Sequence, residues 1–175
     1  MTVTIGDSHR SWLQLPPMGS GEPPYRESLS FLLSQLGARA AELFADRLHP
    51  FGISPRAYGV LSNAAADGSR TQQQLADTLG IHRNNMVGLI DELEAAGWVQ
   101  RHRSPNDRRA FEVRLTPPGS ALLSRVSTML PSLETEIADG LTIAERQTLL
   151  ALLMRLAEAL NLAPGVHPYL GTPRG

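Results

Sequence analysis

Apolar residues recur at two different periods along this chain, and the stretch where the period changes carries the most information. From Arg83 the apolar positions are Met86, Leu89, Ile90 and Leu93, offsets of three, four and seven that give a helix one buried stripe. Past Gly97 the period drops to two. In Phe111-Glu112-Val113-Arg114-Leu115 the residues Phe111, Val113 and Leu115 fall on one face and Glu112 and Arg114 on the other, as a half-buried strand requires. Trp98-Val99-Gln100-Arg101 is the expected partner strand. Between them, Ser104-Pro105-Asn106-Asp107 suits a type I turn, with Ser first and Pro second. The stretch from Gly97 to Gly119 therefore predicts a hairpin whose tip carries Asp107-Arg108-Arg109. Thr116-Pro117 closes it, a hydroxyl N-cap followed by Pro at the first helical position.

Upstream, Thr71-Gln72-Gln73-Gln74 has the form of a capping box, a hydroxyl at the N-cap and an amide three residues on. A helix starts there, carries Leu75 and Leu79 on one face, and stops at Gly80, which takes the left-handed conformation at little cost. Ile81-His82 makes the turn, and Gly97 caps the next helix at its C-terminus. Two helices joined by a short turn containing Gly form a helix-turn-helix, whose second helix can enter a DNA major groove. With Met86, Leu89, Ile90 and Leu93 buried, the opposite face carries Arg83, Asn84, Asn85 and Gly88, with Val87 at its edge. Arg83 can read guanine or grip phosphate, Asn84 and Asn85 can read adenine, and Val87 can touch a thymine methyl. Thr71 and Gln72, at the start of the preceding helix, complete the candidate DNA surface on this side. Outside such a context the same residues would read as ordinary solvated polar groups at a helix start.

The remaining segments predict scaffold helices. From Tyr25 to Leu48 the positions Leu29, Leu32, Leu33, Leu36, Ala40, Leu43, Phe44 and Leu48 keep a three-and-four spacing. Ser54-Pro55 opens a helix through Tyr58 and Leu61 that ends near Asp67-Gly68. From Pro117 another runs toward Asp139-Gly140, with Pro131 marking a kink or break. Thr142-Ile143-Ala144-Glu145 is a second capping box, and the helix it opens continues to about Leu162. Its apolar residues Leu149, Leu150, Leu152, Leu153, Met154, Leu156 and Leu160 exceed a single face, so one stripe can serve its own core and the next a second subunit. The ends, 1–24 and 163–175, are rich in Gly, Pro and Ser and read as poorly ordered extensions, although Trp12 and Leu13 can dock.

Composition sets outer limits. At 175 residues the chain has the length of one domain with a sizeable core. There is no cysteine, hence no disulfide framework, thiolate metal site or thiol sensor. Apolar runs fall far short of the roughly 18 residues of a membrane span, and Asp7, Ser8, His9 and Arg10 stand where a secretory segment needs apolar residues; a cytoplasmic protein is expected. A formal net charge of −1 runs against DNA binding, which draws on basic groups meeting phosphates. The distribution answers this: between Trp98 and Leu115 five arginines (Arg101, Arg103, Arg108, Arg109, Arg114) face two acids (Asp107, Glu112), a local balance of +3. The chain has no lysine, and the planar fork of Arg suits phosphate and guanine edges. Arg103 and Arg108 are the candidate phosphate contacts; the bland alternative is a solvated hairpin tip in which Asp107 finishes the turn.

The order Leu75-Ala76, a polar second helix, Leu93 to Gly97, then Asp107-Arg108-Arg109 and Leu115-Thr116-Pro117-Pro118-Gly119 closely resembles the MarR (multiple antibiotic resistance) regulators, tightly over Ser54 to Gly119 and loosely in the flanking helices. The chain departs from the family pattern at His82, where a small hydroxyl or acidic cap is usual, and at Gly88, where a longer polar or basic side chain is common. The resemblance implies a mainly α fold with a small β-hairpin wing: a winged helix-turn-helix over about 54–116 inside a domain of 25–162, with dimerisation helices at 25–49 and 117–162. It implies a homodimer on a pseudo-palindromic operator in double-stranded DNA, acting as a transcriptional repressor. Arg109 would enter a minor groove, oriented by Asp107, reading DNA shape more than base identity. Relatives respond to small aromatic or phenolic ligands between scaffold and DNA-binding lobe; His49, Phe51 and Tyr58 are the residues here that would meet such an effector. No enzyme is expected, since the five histidines are scattered without metal-ligand spacing and no nucleophile motif or phosphate-cradling glycine loop occurs, and no cofactor is implied. The rival reading is a winged-helix protein-interaction module whose arginines face an acidic partner.

Overall fold

The structure, a computed structural model, describes residues 25–66, 70–104 and 110–162. The Asp67-Gly68 helix end, the hairpin tip with Asp107, Arg108 and Arg109, and both terminal extensions lie outside the described residues. The chain divides into two units, 1–39 and 40–175. In the first, a 3-10 turn at Tyr25–Glu27 leads into helix α1, Leu29–Leu48, which continues into the second unit. Ser28 Oγ accepts the Phe31 N–H at 3.3 Å, and the rings of Tyr25 and Phe31 lie 4.7 Å apart. Leu29, Leu32 and Leu36, three of the positions that keep the three-and-four spacing, are exposed.

The second unit holds the rest of α1, then α2 (Pro55–Ala66), β1 (Arg70–Thr71), α3 (Gln72–Leu79), α4 (Arg83–Ala95), β2 (Val99–Arg103), β3 (Phe111–Leu115), α5 (Pro117–Ile137) and α6 (Ile143–Ala159). Its core gathers Leu48, Val60, Leu61, Leu75, Leu79, Met86, Ile90, Val99, Val113 and Val126, each essentially removed from solvent. Burial of this set, at about 1.5–3 kcal/mol for each large side chain, supplies most of the driving force.

Local signals set the ends of the helices. Thr71 Oγ1 accepts the Gln74 N–H at 3.2 Å and Gln74 Oε1 accepts the Thr71 N–H at 2.8 Å, a complete capping box. The second box closes at Thr142 and Glu145, and Ser54 Oγ accepts the Ala57 N–H at the head of α2. Gly80 and Gly97 are both left-handed, φ 62° and 74°. Past each, the next residue donates back five positions, Ile81 to Ala76 at 3.0 Å and Trp98 to Leu93 at 2.9 Å, so both helices of the helix-turn-helix end in Schellman motifs.

Three features depart from the periodicity. First, the hairpin is part of a three-stranded antiparallel sheet in the order β1-β3-β2, with Arg70 opposite Val113 and Thr71 opposite Glu112; the two-residue β1 is too short to show a period. Second, Glu112 is buried and Phe111 exposed, the reverse of the expected faces. β3 is the central strand, so Glu112 has Thr71 on one side and His102 on the other. Its carboxylate accepts from Ser104 Oγ at 3.0 Å and Arg114 Nη2 at 2.8 Å, the pairing a buried charge requires. Phe111, at the far end of the hairpin, instead lies beneath the Arg103 guanidinium, 5.9 Å from its carbon to the ring centre. Third, α5 runs unbroken through Pro131. Proline removes one N–H from the helical ladder, but Val126 before it and Leu133 after it are both buried and anchor the two halves.

Candidate nucleic-acid interface

The second helix of the helix-turn-helix shows the division its spacing predicts. Met86, Ile90 and Leu93 are buried and Leu89 half-buried, while Arg83, Asn84, Asn85, Val87 and Gly88 are exposed. His82 fills the N-cap position with an aromatic ring instead of a hydroxyl: its Nδ1 accepts the Asn84 N–H at 3.3 Å. The unusual residue there performs the usual task of satisfying a free backbone donor. A Cβ built at Gly88 meets nothing within 4 Å, so this position opens space beside Asn84 and Asn85. A cleft of about 700 Å³ lies there, between Ser54, Pro55 and Arg56 at the start of α2 and Asn84, Asn85, Gly88 and Glu92 of α4.

Thr71 and Gln72 sit at the start of α3 and are half-buried; the Thr71 hydroxyl is engaged as the helix cap. Arg103 ends β2, exposed and next to the hairpin tip. Of the three described arginines in this region, Arg101 and Arg114 are held in ion pairs. Arg101 pairs with Asp91 and Glu94 of α4, and Arg114 with Glu112. The sequence counts both toward the DNA-facing charge, whereas the structure spends them holding the lobe together. No spacing signal marks the Arg101 pairing, because its partner acids lie on another element, whereas Glu112 and Arg114, two apart on one strand, share a face in the sequence pattern.

The hairpin is fixed firmly where it meets the scaffold. Thr116 Oγ1 donates to the Gly97 carbonyl at 2.6 Å and accepts the Gly119 N–H at 3.1 Å, while the Thr116 N–H donates to the Trp98 carbonyl at 3.1 Å. One residue thus caps α5 and ties it to the exit of α4. The backbones approach so closely that a Cβ at Gly119 would stand 1.9 Å from the Trp98 carbonyl oxygen; only glycine fits.

The residues expected to meet an effector are spread through the scaffold side of the lobe. His49 is exposed in a 3-10 turn, the Phe51 ring lies under Arg125 with 5.5 Å between guanidinium carbon and ring centre, and Tyr58 meets Phe44 edge-on at 5.3 Å. Both aromatic rings pack against the core, and none of the three lines the cleft at α4. Among the described residues no cluster of His, Cys, Asp or Glu could hold a metal ion, and no helix is long and apolar enough to cross a membrane.

Comparison with known proteins agrees with this geometry. A sequence model described as MarR family matches residues 51–110. A putative transcriptional regulatory protein for the hcr operon of Thauera aromatica is 34% identical over 105 residues, which are 60% of this chain and 63% of that protein, so the chain spans less than two thirds of its length. Among solved structures, the transcriptional repressor CouR, bound to a 23-mer DNA duplex, is 33% identical with a TM-score of 0.69, over 79% of this chain and 99% of that one. A mutant MarR from E. coli complexed with operator DNA is 25% identical with a TM-score of 0.67, over 77% and 99%. With sequence, topology and these relatives in agreement, the chain belongs to the MarR family of winged helix-turn-helix transcriptional regulators.

Proposed function

We propose that this protein is a dimeric repressor that binds a pseudo-palindromic operator, with α4 in the major groove and the β2–β3 wing at an adjacent minor groove. The observation that carries the reading is the exposed Arg83, Asn84, Asn85 and Val87 on a helix whose opposite face is buried in the core. The N-terminal half of α4 is the half without acids, since Asp91, Glu92 and Glu94 all lie further along; the helix start also favours phosphate through its free N–H groups. Thr71 and Gln72 approach the backbone from α3. In the wing, Arg103 and Arg108 grip phosphates, and Arg109, oriented by Asp107, enters the minor groove. CouR and the E. coli protein, both solved on DNA, support this mode by similarity.

Two copies are needed to read a palindrome, and α6 supplies the means. It has no buried residue. Ile143, Leu150 and Met154 form one exposed stripe, and Leu149, Leu153 and Leu160 a neighbouring one, a pattern that in water calls for a partner. A small aromatic ligand bound near His49, Phe51 and Tyr58 would release the DNA by shifting the lobe.

A salt titration on operator and scrambled duplexes tests the reading. A repressor holds one palindromic sequence at physiological salt, with specific binding about 10³-fold or more tighter than non-specific. A protein-interaction module would bind both duplexes weakly and alike, and lose both as salt rises.

A further inference from the structure

Arg101 stands in sequence among the wing arginines, but its side chain is only 19% exposed and lies along α4. Nη1 donates to Glu94 Oε2 at 2.7 Å, and Nη2 to Asp91 Oδ1 at 2.6 Å and to the Val87 carbonyl at 3.3 Å. The Arg101 backbone N–H donates to the other Glu94 oxygen at 2.9 Å. Val87, Asp91 and Glu94 are spaced by four and three, so the three acceptors form one stripe along the helix. At its other end Arg101 is held by the sheet, paired with Val113 of the central strand.

We propose that Arg101 is a positioning residue that fixes the rotation of α4 about its own axis and so determines which of Arg83, Asn84, Asn85 and Val87 meet the base edges. The inference rests on the reading of α4 as the DNA-reading helix. The apolar stripe of Met86, Ile90 and Leu93 holds the helix against the core, but apolar contact is non-directional and resists small rotations weakly. Hydrogen bonds from a planar fork with fixed donor directions resist them strongly. A rotation of about 10° moves a side-chain tip about 5–6 Å from the axis by about 1 Å, which is enough to break a bond confined to a range of about half an ångström. Since the guanidinium faces two carboxylates, its charge is directed at the protein and adds little at the phosphates.

The test uses the full chain and measures affinity by fluorescence anisotropy, across a range of salt, for an operator duplex selected by the wild-type protein and for a scrambled duplex of equal length. R101M and E94Q should each lower the ratio of specific to non-specific affinity by about tenfold, leaving non-specific affinity and its salt slope unchanged. The double variant should be no worse than the poorer single one, because both remove the same link. R101K, which keeps the charge and loses the fork, should behave like R101M, and D91N, at a more exposed acid, should give a smaller loss. Direct contact with DNA predicts the opposite pattern: R101M would weaken both duplexes and reduce the salt slope by about one, and E94Q would tighten binding by releasing the guanidinium. That result overturns the assignment, as does an unchanged ratio in R101M and E94Q. If the wild-type protein binds no sequence specifically, the reading of α4 fails and the inference with it. The acid variants keep the test open should R101M unfold.

Discussion

The winged lobe and helix α6 both carry apolar side chains at helical spacing, yet they solve opposite problems. In the lobe, Leu75 and Leu79 of α3, Met86 and Ile90 of α4, and Val99 and Val113 of the sheet share a core. Its helix ends are satisfied by side-chain caps and Schellman turns. In α6 no residue is buried, and Ile143, Leu150 and Met154 remain 79%, 59% and 65% exposed. The lobe closes its core with Leu48 of α1 and Val126 of α5 and presents polar groups outward. Among the described residues nothing covers the apolar surface of α6; on the proposed reading, the fold of the lobe comes from one copy and its pairing on DNA from two.

The comparison breaks most visibly at α6. Replacing Leu150 and Met154 together by Glu should convert the protein to a monomer in sedimentation velocity and, by removing bivalency, weaken operator binding by about 100-fold or more, with the circular dichroism of the lobe retained. A dimer that survives both charges would place the partner surface elsewhere. Within the lobe, Gly119→Ala should lower unfolding free energy by about 3 kcal/mol, the upper end for overpacking, because the intruding atom meets a backbone carbonyl that cannot turn away; chemical denaturation reads this, and an unaltered midpoint would disprove the close approach. Arg109→Ala should weaken the operator complex by about tenfold while thermal stability and dimerisation stay as they are; unchanged affinity would remove the wing from the interface. The smallest effect is expected for Thr71→Ala, which deletes one cap at a cost of about 1 kcal/mol. A loss of DNA affinity larger than the loss of stability would mean that the Thr71 hydroxyl also touches DNA.

The legible part of this molecule is the local part. Capping boxes at Thr71 and Thr142, the Thr116-Pro117 helix start and the stops at Gly80 and Gly97 all depend on residues three to five apart, and each forms as expected. What escaped depends on partners distant in sequence or on burial set by the whole lobe. Arg70 and Thr71 become a strand only because β3 lies beside them. Glu112 is buried with Ser104 and Arg114 hydrogen-bonded to its carboxylate. Arg101 looked like part of a DNA patch until Asp91 and Glu94, on the preceding helix, turned out to claim it. In the candidate interface, the α4 face was readable because burial of one stripe exposes its opposite, whereas the contribution of each arginine was not, since charge in a sequence carries no record of its counter-ion.

The central claim, that two copies read one palindrome through α4, is tested most directly by selecting from a random duplex library with the full-length protein. The account predicts enrichment of an inverted repeat whose half-sites are centred about 10 base pairs apart, and loss of that enrichment when Asn84 and Asn85 are both changed to Ala. Recovery of no motif, or of a single half-site bound by one copy, would contradict it.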